Sequence, residues 1–454
     1  MKRNAGYCYT ELADVLRAQI KSGFIRPGDY LLPENDLSSK YGISRSSVRR
    51  ALLELQNEQL IIKHPGKGTM VTYSSDTSPN DHNELLIVCP SPSLFCTQML
   101  PVLIPIFEER CPHVKIRVFS ISYRDSLLEE LSHLGVKPDL VVVSDQQFSM
   151  MHPDDFLAIP PSIVQQTNIP EPVYKAFLSH DTLLAAPVTY SPVFLAYQKH
   201  LFHRHHVALP HPGWTTEQFI ETAKQLTLDT NQDGIIDLFG IALSSATTRW
   251  PLFALKKGAD VITSDAEESS FHNWVQALTF MRDLIYLHKT VPIFPIHDMF
   301  LIQQLFDEER IAMMLTSLLA PARITGLTPY EIAPFPSEFD QGGMLIANGL
   351  MIARNASHPA LAQLFVEVCM TSEVQAQMIQ GSRFLSVYDS VNQTNWRKQD
   401  LLSLGVLPEQ IVYSKVVGGL FTPGTRISEL EAQMKKYWSG MEQPVDLVHR
   451  LHHR

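Results

Sequence analysis

Two sets of residues in this chain have types and spacings that could do chemistry. One is the stretch LDTNQDGIIDLFG, Leu228 to Gly240. Asp229, Asn231 and Asp233 alternate, Gly234 follows, and Asp237 comes four residues after Asp233. Hard oxygen ligands at every second position before a turn-making glycine are how a calcium cage begins. Ile235 could add its carbonyl, but the position of the bidentate glutamate that closes such a cage is Gly240. The other set is Ser44, Arg45, Ser46, Ser47 and Arg49, hydroxyls and guanidiniums packed into six residues, with His64, Gly66 and Lys67 a short way on. Short donors and arginines at a helix tip suit base edges and phosphates, and a glycine beside a lysine lets backbone approach a phosphate.

The elements that must position the second set can be read from periodicity. Thr10 caps a first helix with Leu12, Val15, Leu16 and Ile20 on one face. Pro33 suits the first position of a second helix that stops at Gly42. Ser44 then caps a third, in which Val48, Ala51, Leu52 and Leu55 form a core stripe and Arg45, Ser46 and Arg49 lie off it. Leu60–Lys63 and Thr69–Thr72 predict two strands around the turn HPGKG. Three helices and a hairpin make a winged helix-turn-helix. A solvated charged face would explain one such cluster, but not the ordered set.

Charge agrees. Residues 1–73 hold 11 Lys/Arg against 7 Asp/Glu, while the remainder holds 26 against 40. A basic head on an acidic body predicts that only the head seeks a polyanion. At 454 residues, 45% apolar and 19% charged, the chain is an ordinary globular protein of two or three domains. The first residues show no secretory pattern, no run is long enough for a membrane span, and five cysteines without a C-x-x-C pair favour free thiols. A cytoplasmic protein without membrane contact is expected.

The segments PGDYLLPE, YGISRSSVRRAL and LIIKHPGKGTMV together resemble the N-terminal domain of the GntR-type transcriptional regulators. That resemblance implies operator contacts from Ser44, Arg45, Ser46, Ser47 and Arg49 and from a wing at His64, Gly66 and Lys67. Leu32-Pro33 and Asn35 depart from the family pattern, which implies a changed operator. Tyr73 to Asn83 is polar and proline-broken, so residues 1–73 are expected to be the DNA-binding domain, 74–83 a linker and 84–454 a separate body.

In the body, apolar strands ELLIVCP, KIRVFSI and PDLVVVSD alternate with the helices TQMLPVLIPIFEER and RDSLLEELSHLG, which predicts a parallel, helix-covered α/β sheet. The order AAPVTYSPVFLAYQKHLF, WTTEQFIETAKQLT, LFDEERIAMM, QGGMLIANGLMIA and SEVQAQMIQG is similar to that of the family 1 extracellular solute-binding proteins. The resemblance implies two α/β lobes closing on a sugar or oligosaccharide. Gln198 and Glu309-Arg310 depart from it, and Trp214 is expected to be structural. Sugar clefts need flat aromatic faces with carboxylates and amides. Candidates by position are Asp145 at a strand end, Phe95 after the first strand, Tyr190 on an apparent crossing strand, Arg249 and Trp250 after GIALSS, and Gln341 in the QGG turn. Each could equally serve packing. No cofactor is expected, except calcium if Asp229, Asn231, Asp233 and Asp237 hold it. Relatives with such a loop make it a mark of descent from secreted binders.

The expectation is a ligand-responsive DNA-binding regulator, a homodimer whose partners are operator DNA and a carbohydrate effector. Two readings compete. One is a GntR-type regulator with an aminotransferase-like body holding pyridoxal phosphate on Lys415. The other is a transport subunit. The histidines of HLFHRHHVALPH lack the regular spacing of zinc ligands, and no catalytic triad or phosphate-loop motif is present.

Overall fold

The computed structural model describes residues 9–21, 25, 28–41, 43–72, 84–91, 93, 95–112, 114–122, 131, 136–160, 162–164, 168–262, 267–318, 330–339, 341–380, 384–421 and 427–452. The expected linker, 74–83, and most of the expected helix RDSLLEELSHLG lie outside them. Two compact units are formed: residues 1–92, 104–141 and 352–363 in the first, residues 93–103, 142–351 and 364–454 in the second.

The first unit opens with α1 (Tyr9–Lys21), α2 (Glu34–Tyr41) and α3 (Arg45–Asn57), then β1 (Ile61–His64) and β2 (Gly68–Val71). Leu12, Leu16 and Ile20 face inward from α1, and Val48, Ala51, Leu52 and Leu55 from α3, around one small apolar core. The Val15 side chain lies outside the described set. Pro33 stands one place before α2, its carbonyl accepting the N–H groups of Asp36 and Leu37 at 2.9 Å each. Arg17 clamps α1 to α3 through Glu54 and Glu58 at 2.8 and 2.6 Å. The wing strands pair antiparallel from Ile61↔Val71 to His64↔Gly68, so the first starts one residue later than the sequence suggests. Gly66 and Gly68 turn the hairpin at φ +77° and +110°, which L side chains rarely adopt. Also in this unit, β3 (Glu84–Ser91) pairs parallel with β4 (Lys115–Ser122) along its whole length and with Leu140 and Val141, the first residues of β5 (Leu140–Ser144). Between β3 and β4, α4 (Leu100–Arg110) carries Pro105 inside it and follows a π-helical turn at Phe95–Met99.

The second unit is organised by one strand, β6 (Ala185–Tyr197). All thirteen of its residues are buried, which accounts for the near-continuous apolar run AAPVTYSPVFLAY. Its C-terminal half pairs antiparallel with β8 (Ile311–Ser317), which lies parallel to β7 (Phe239–Ala242). Its N-terminal half pairs antiparallel with β9 (Gly343–Ala353), so the strand changes partner near Pro192. The core behind β7 and β8 holds Trp214, Phe219, Trp274 and Tyr437. Trp214 is packed edge-on to Phe219, its N–H donated to the Pro334 carbonyl at 3.0 Å. Gln198, wholly buried, donates its amide to the carbonyls of Phe306 and Ile311, so its side chain links the end of β6 to the start of β8. Glu309 adopts φ +61°, a backbone conformation L side chains rarely adopt, and it accepts a 2.8 Å ion pair from Arg204.

Candidate functional site

At the head, Ser44 caps α3 as its spacing predicts, its hydroxyl accepting the Ser47 N–H at 3.1 Å. Arg45 and Ser46 project into solvent from the first turn, Ser47 is half-buried, and the Lys67 side chain is exposed on the wing. Arg49 is engaged: its Nε donates to Glu34 at 2.7 Å, and Lys63 reaches the same carboxylate at 3.3 Å. These two cations hold the Glu34 carboxyl below its usual pKa, Arg49 contributing most. The pair fixes the tip of α3 against α2, a long-range contact that helical periodicity does not contain. The surface that results, with the hydroxyls of Ser46 and Ser47 hydrogen-bonded to that of Ser44, Arg45 exposed and a basic wing, has the donors a phosphate backbone and base edges need.

In the body, polar groups are buried together where apolar ones would be cheaper. Ser144 caps α5 (Asp145–Phe148) in a reciprocal box with Gln147. Asp145 is almost completely enclosed, accepting the N–H of Ala347 at 2.9 Å and of Gly418 at 2.8 Å. Burial pushes its carboxyl up to about 6, and the backbone N–H donors oppose that rise. A Cβ on Gly418 would overlap the Asp145 carbonyl, which is why glycine stands there. Next to it, Gln146 donates its amide to the Thr247 hydroxyl at 2.9 Å. Thr247 belongs to the loop after β7 that also carries Ser244, Ser245 and Arg249, all less than a tenth exposed. Ser317, at the end of β8, accepts from Arg249 at 3.3 Å, and Ser191, in mid-β6, accepts the Leu318 N–H at 2.7 Å. Strand ends and a crossing strand thus bring an amide, several hydroxyls and a guanidinium into one buried seam. Each of these groups is held by a hydrogen bond, as buried polar groups must be, so the seam is an ordered polar network inside the body.

A cleft of about 860 Å³ opens beside Asp145, within the range of small-molecule sites. Phe148 and Phe421 give it aromatic faces, and Lys175, His180 and Lys415 give it basic ones. Lys415 is ion-paired with Asp260 at 2.6 Å and partly exposed, unlike the desolvated lysine a Schiff base requires.

The six body residues singled out by position are not gathered around this cleft. Asp145 lines it. Arg249 lines a separate small cavity with Ser244, Gln303 and Thr316. Tyr190 borders a void of about 10 Å³ beside Asp389 and Asn392, and burial pushes its phenol well up. Phe95 is enclosed in the π-helical turn. Gln341 is exposed, its N–H bonded to the Lys256 carbonyl at 3.1 Å. Trp250 is core: 1% exposed, edge-on to Trp274 at 5.7 Å between centroids and 6.2 Å from Phe421. Its flat face is used for packing. Gln146, Thr247 and Ser317 were missed, since no local pattern distinguishes a buried hydroxyl from an exposed one.

The loop at Asp229 closes on itself. Asp229 accepts the N–H of Asp233 at 3.2 Å and of Gly234 at 2.7 Å, and Asp233 accepts that of Ile235 at 2.8 Å. Asn231 accepts the Asp233 N–H at 3.0 Å. Asp237 turns to Thr230, at 2.9 and 2.7 Å, and to Arg310 at 3.4 Å. Among the described residues no three His, Cys, Asp or Glu side chains converge as metal ligands, and the loop's carboxylates are capped by its own N–H groups. Gly240 explains the missing glutamate: a Cβ there would overlap the backbone of Ala223 in α6 (Thr216–Gln225).

Residues 8–71 match the family described as bacterial regulatory proteins, gntR family, and residues 103–402 match bacterial extracellular solute-binding protein. Among curated proteins, the mannosyl-D-glycerate transport/metabolism system repressor MngR of Escherichia coli is 34% identical over 151 residues, 29% of this chain and 61% of that protein. The transcriptional repressor NagR of Bacillus subtilis is 39% identical over 64 residues, 14% of this chain and 26% of its own. The chain thus spans about a quarter to three fifths of the length of these relatives. The substrate-binding protein Lmo0181 of Listeria monocytogenes, solved with cycloalternan, superposes with a TM-score of 0.67 at 18% identity, covering 81% of this chain and 96% of that one. The maltose/maltodextrin-binding domain MalE of Bdellovibrio bacteriovorus, bound to maltotriose, gives 0.64 at 17%, covering 81% and 97%. The fold is therefore a GntR-type helix-turn-helix followed by a MalE-like, two-lobed solute-binding fold. No helix of the described residues is long and apolar enough to cross a membrane.

Proposed function

The chain belongs to the bacterial extracellular solute-binding proteins and carries a gntR-family regulatory domain at its head, and from that premise we propose that it is a one-component, solute-responsive transcriptional regulator. The head binds an operator through α3 and the wing. The body binds a small solute, a sugar or oligosaccharide, and senses it without transforming it. The chain acts in the cytoplasm as a homodimer on a near-palindromic site, because paired heads match paired half-sites.

The observation that carries this reading is the buried polar seam from Gln146 through Thr247 to Ser317, in a body fused to a basic DNA-reading head. Hydroxyls and amides held at strand ends are what a sugar's hydroxyls exchange hydrogen bonds with. The solved relatives cited above, of the same fold, hold cycloalternan and maltotriose, and MngR is named for mannosyl-D-glycerate transport and metabolism. Binding that favours one lobe arrangement shifts the operator affinity by its differential free energy, about 1–3 kcal/mol in a working switch.

A thermal-shift screen of the full chain against mono- and oligosaccharides tests solute binding directly. A sugar that raises the melting temperature in a concentration-dependent way supports the sensor. A chain that responds to no saccharide while still binding DNA would be a regulator controlled otherwise.

A further inference from the structure

We propose that Arg249 is the anchor for an acidic oxygen group, a carboxylate or phosphate, on the solute that the body binds. The inference rests on the reading of the body as a solute sensor and adds the charge of what it senses.

Arg249 is 5% exposed. Its Nη1 donates to the Thr248 carbonyl at 2.8 Å and its Nη2 to the Ser317 hydroxyl at 3.3 Å, both uncharged acceptors. Among the described residues no carboxylate lies within ion-pair distance of it. Arg17, Arg204, Arg310 and Arg450, all more exposed, each rest against an aspartate or glutamate. A guanidinium has five N–H donors in a planar fork that matches two anionic oxygens. Burial pushes its pKa down to about 10, so it still carries its proton at neutral pH. A buried cation without a counter-ion is unfavourable unless something supplies the opposite charge.

The space to supply it adjoins the side chain. Arg249 lines a cavity of about 20 Å³ with Ser244, Gln303 and Thr316 as its polar wall. That volume is large enough for one oxygen-sized group. Met299 and the half-exposed Phe300 form its apolar lip, a surface for the C–H face of a larger molecule. Thr247, two residues before Arg249, takes the hydrogen bond from Gln146, so the guanidinium sits at one end of the polar seam.

The test measures melting temperatures of the full chain with D-glucose, D-glucuronate, D-glucose 6-phosphate and inorganic phosphate, each at millimolar concentration. It is repeated on Arg249→Met and Arg249→Lys. The expected result is a shift of several degrees with glucuronate or glucose 6-phosphate and a much smaller one with glucose, the two acids separating carboxylate from phosphate recognition. Arg249→Met should keep the ligand-free melting temperature, since it removes an uncompensated charge, and lose the response to acid. Arg249→Lys should keep a weakened response. Equal shifts from glucose and its acids, no shift from any acid, or an undiminished response in Arg249→Met would each overturn the assignment. A collapse of the ligand-free Arg249→Met protein would do so too, marking Arg249 as structural. A response to neutral sugars alone overturns the acidic anchor and leaves the sensor reading standing.

Discussion

Gln146, one residue after the buried Asp145, donates its side-chain amide to the Thr247 hydroxyl at 2.9 Å, joining the end of β5 to the loop after β7 across 101 residues of sequence. Both side chains are almost fully buried. Thr247→Val keeps the shape and removes the acceptor, leaving the Gln146 amide unsatisfied. The expected cost is about 1–3 kcal/mol of stability in urea unfolding. An unchanged midpoint would mean that this bond is replaced by water and does not hold the seam.

The tip of α3 presents Arg45 to solvent while Arg49 is held by Glu34. Arg45→Ala is therefore expected to lose operator binding at least tenfold in fluorescence anisotropy, with solute-induced stabilisation intact. Unaltered affinity would remove Arg45 from the interface. Glu34→Gln should loosen Arg49 and weaken binding less.

Asp145 gives a pH signature. In the unfolded chain an aspartate ionises near about 3.9, and in the folded chain this one ionises at about 6 because it is buried. Between those values the folded state keeps a proton that the unfolded state has lost. The stability contributed is thus full below about pH 4 and is lost as pH rises through about 6. Asp145→Asn does not titrate, and it leaves one of the N–H groups of Ala347 and Gly418 without its acceptor. Its melting-temperature deficit against wild type should be largest below about pH 4 and shrink by several degrees at neutrality. A deficit that grows with pH would contradict the raised pKa.

Much of this was legible in one dimension, and the reasons differ by element. The stripe Val48, Ala51, Leu52, Leu55 is buried throughout because helical periodicity reports directly which face packs. The run from Ala185 to Tyr197 read as a crossing strand because a strand covered on both faces has no polar side to show. Trp250 did not yield its role, since an aromatic after a strand looks the same whether it meets a ligand or Trp274. Nor did the Arg49–Glu34 pair or the bond from Gln146 to Thr247, which exist only once distant segments meet. Gly240 was the one hidden signal in plain view. A glycine at the cage-closing position marks a helix backbone too near for any side chain.

That contact supplies a further test. Gly240→Ala should lower the melting temperature markedly or prevent folding, because the methyl group would meet the Ala223 carbonyl in α6. Since the Asp229 loop is capped by its own N–H groups, chelator and millimolar calcium should leave the wild-type melting temperature within about a degree of each other. A calcium-dependent rise of several degrees would restore the loop as a metal site.

The central claim is that solute in the body changes DNA binding by the head. The direct measurement is an anisotropy titration of the full chain against an operator selected from a random duplex pool. It is run with and without a solute shown to raise the melting temperature. A change in Kd of about 5- to 150-fold at constant salt is the expected result. Identical curves with the solute bound would contradict the account.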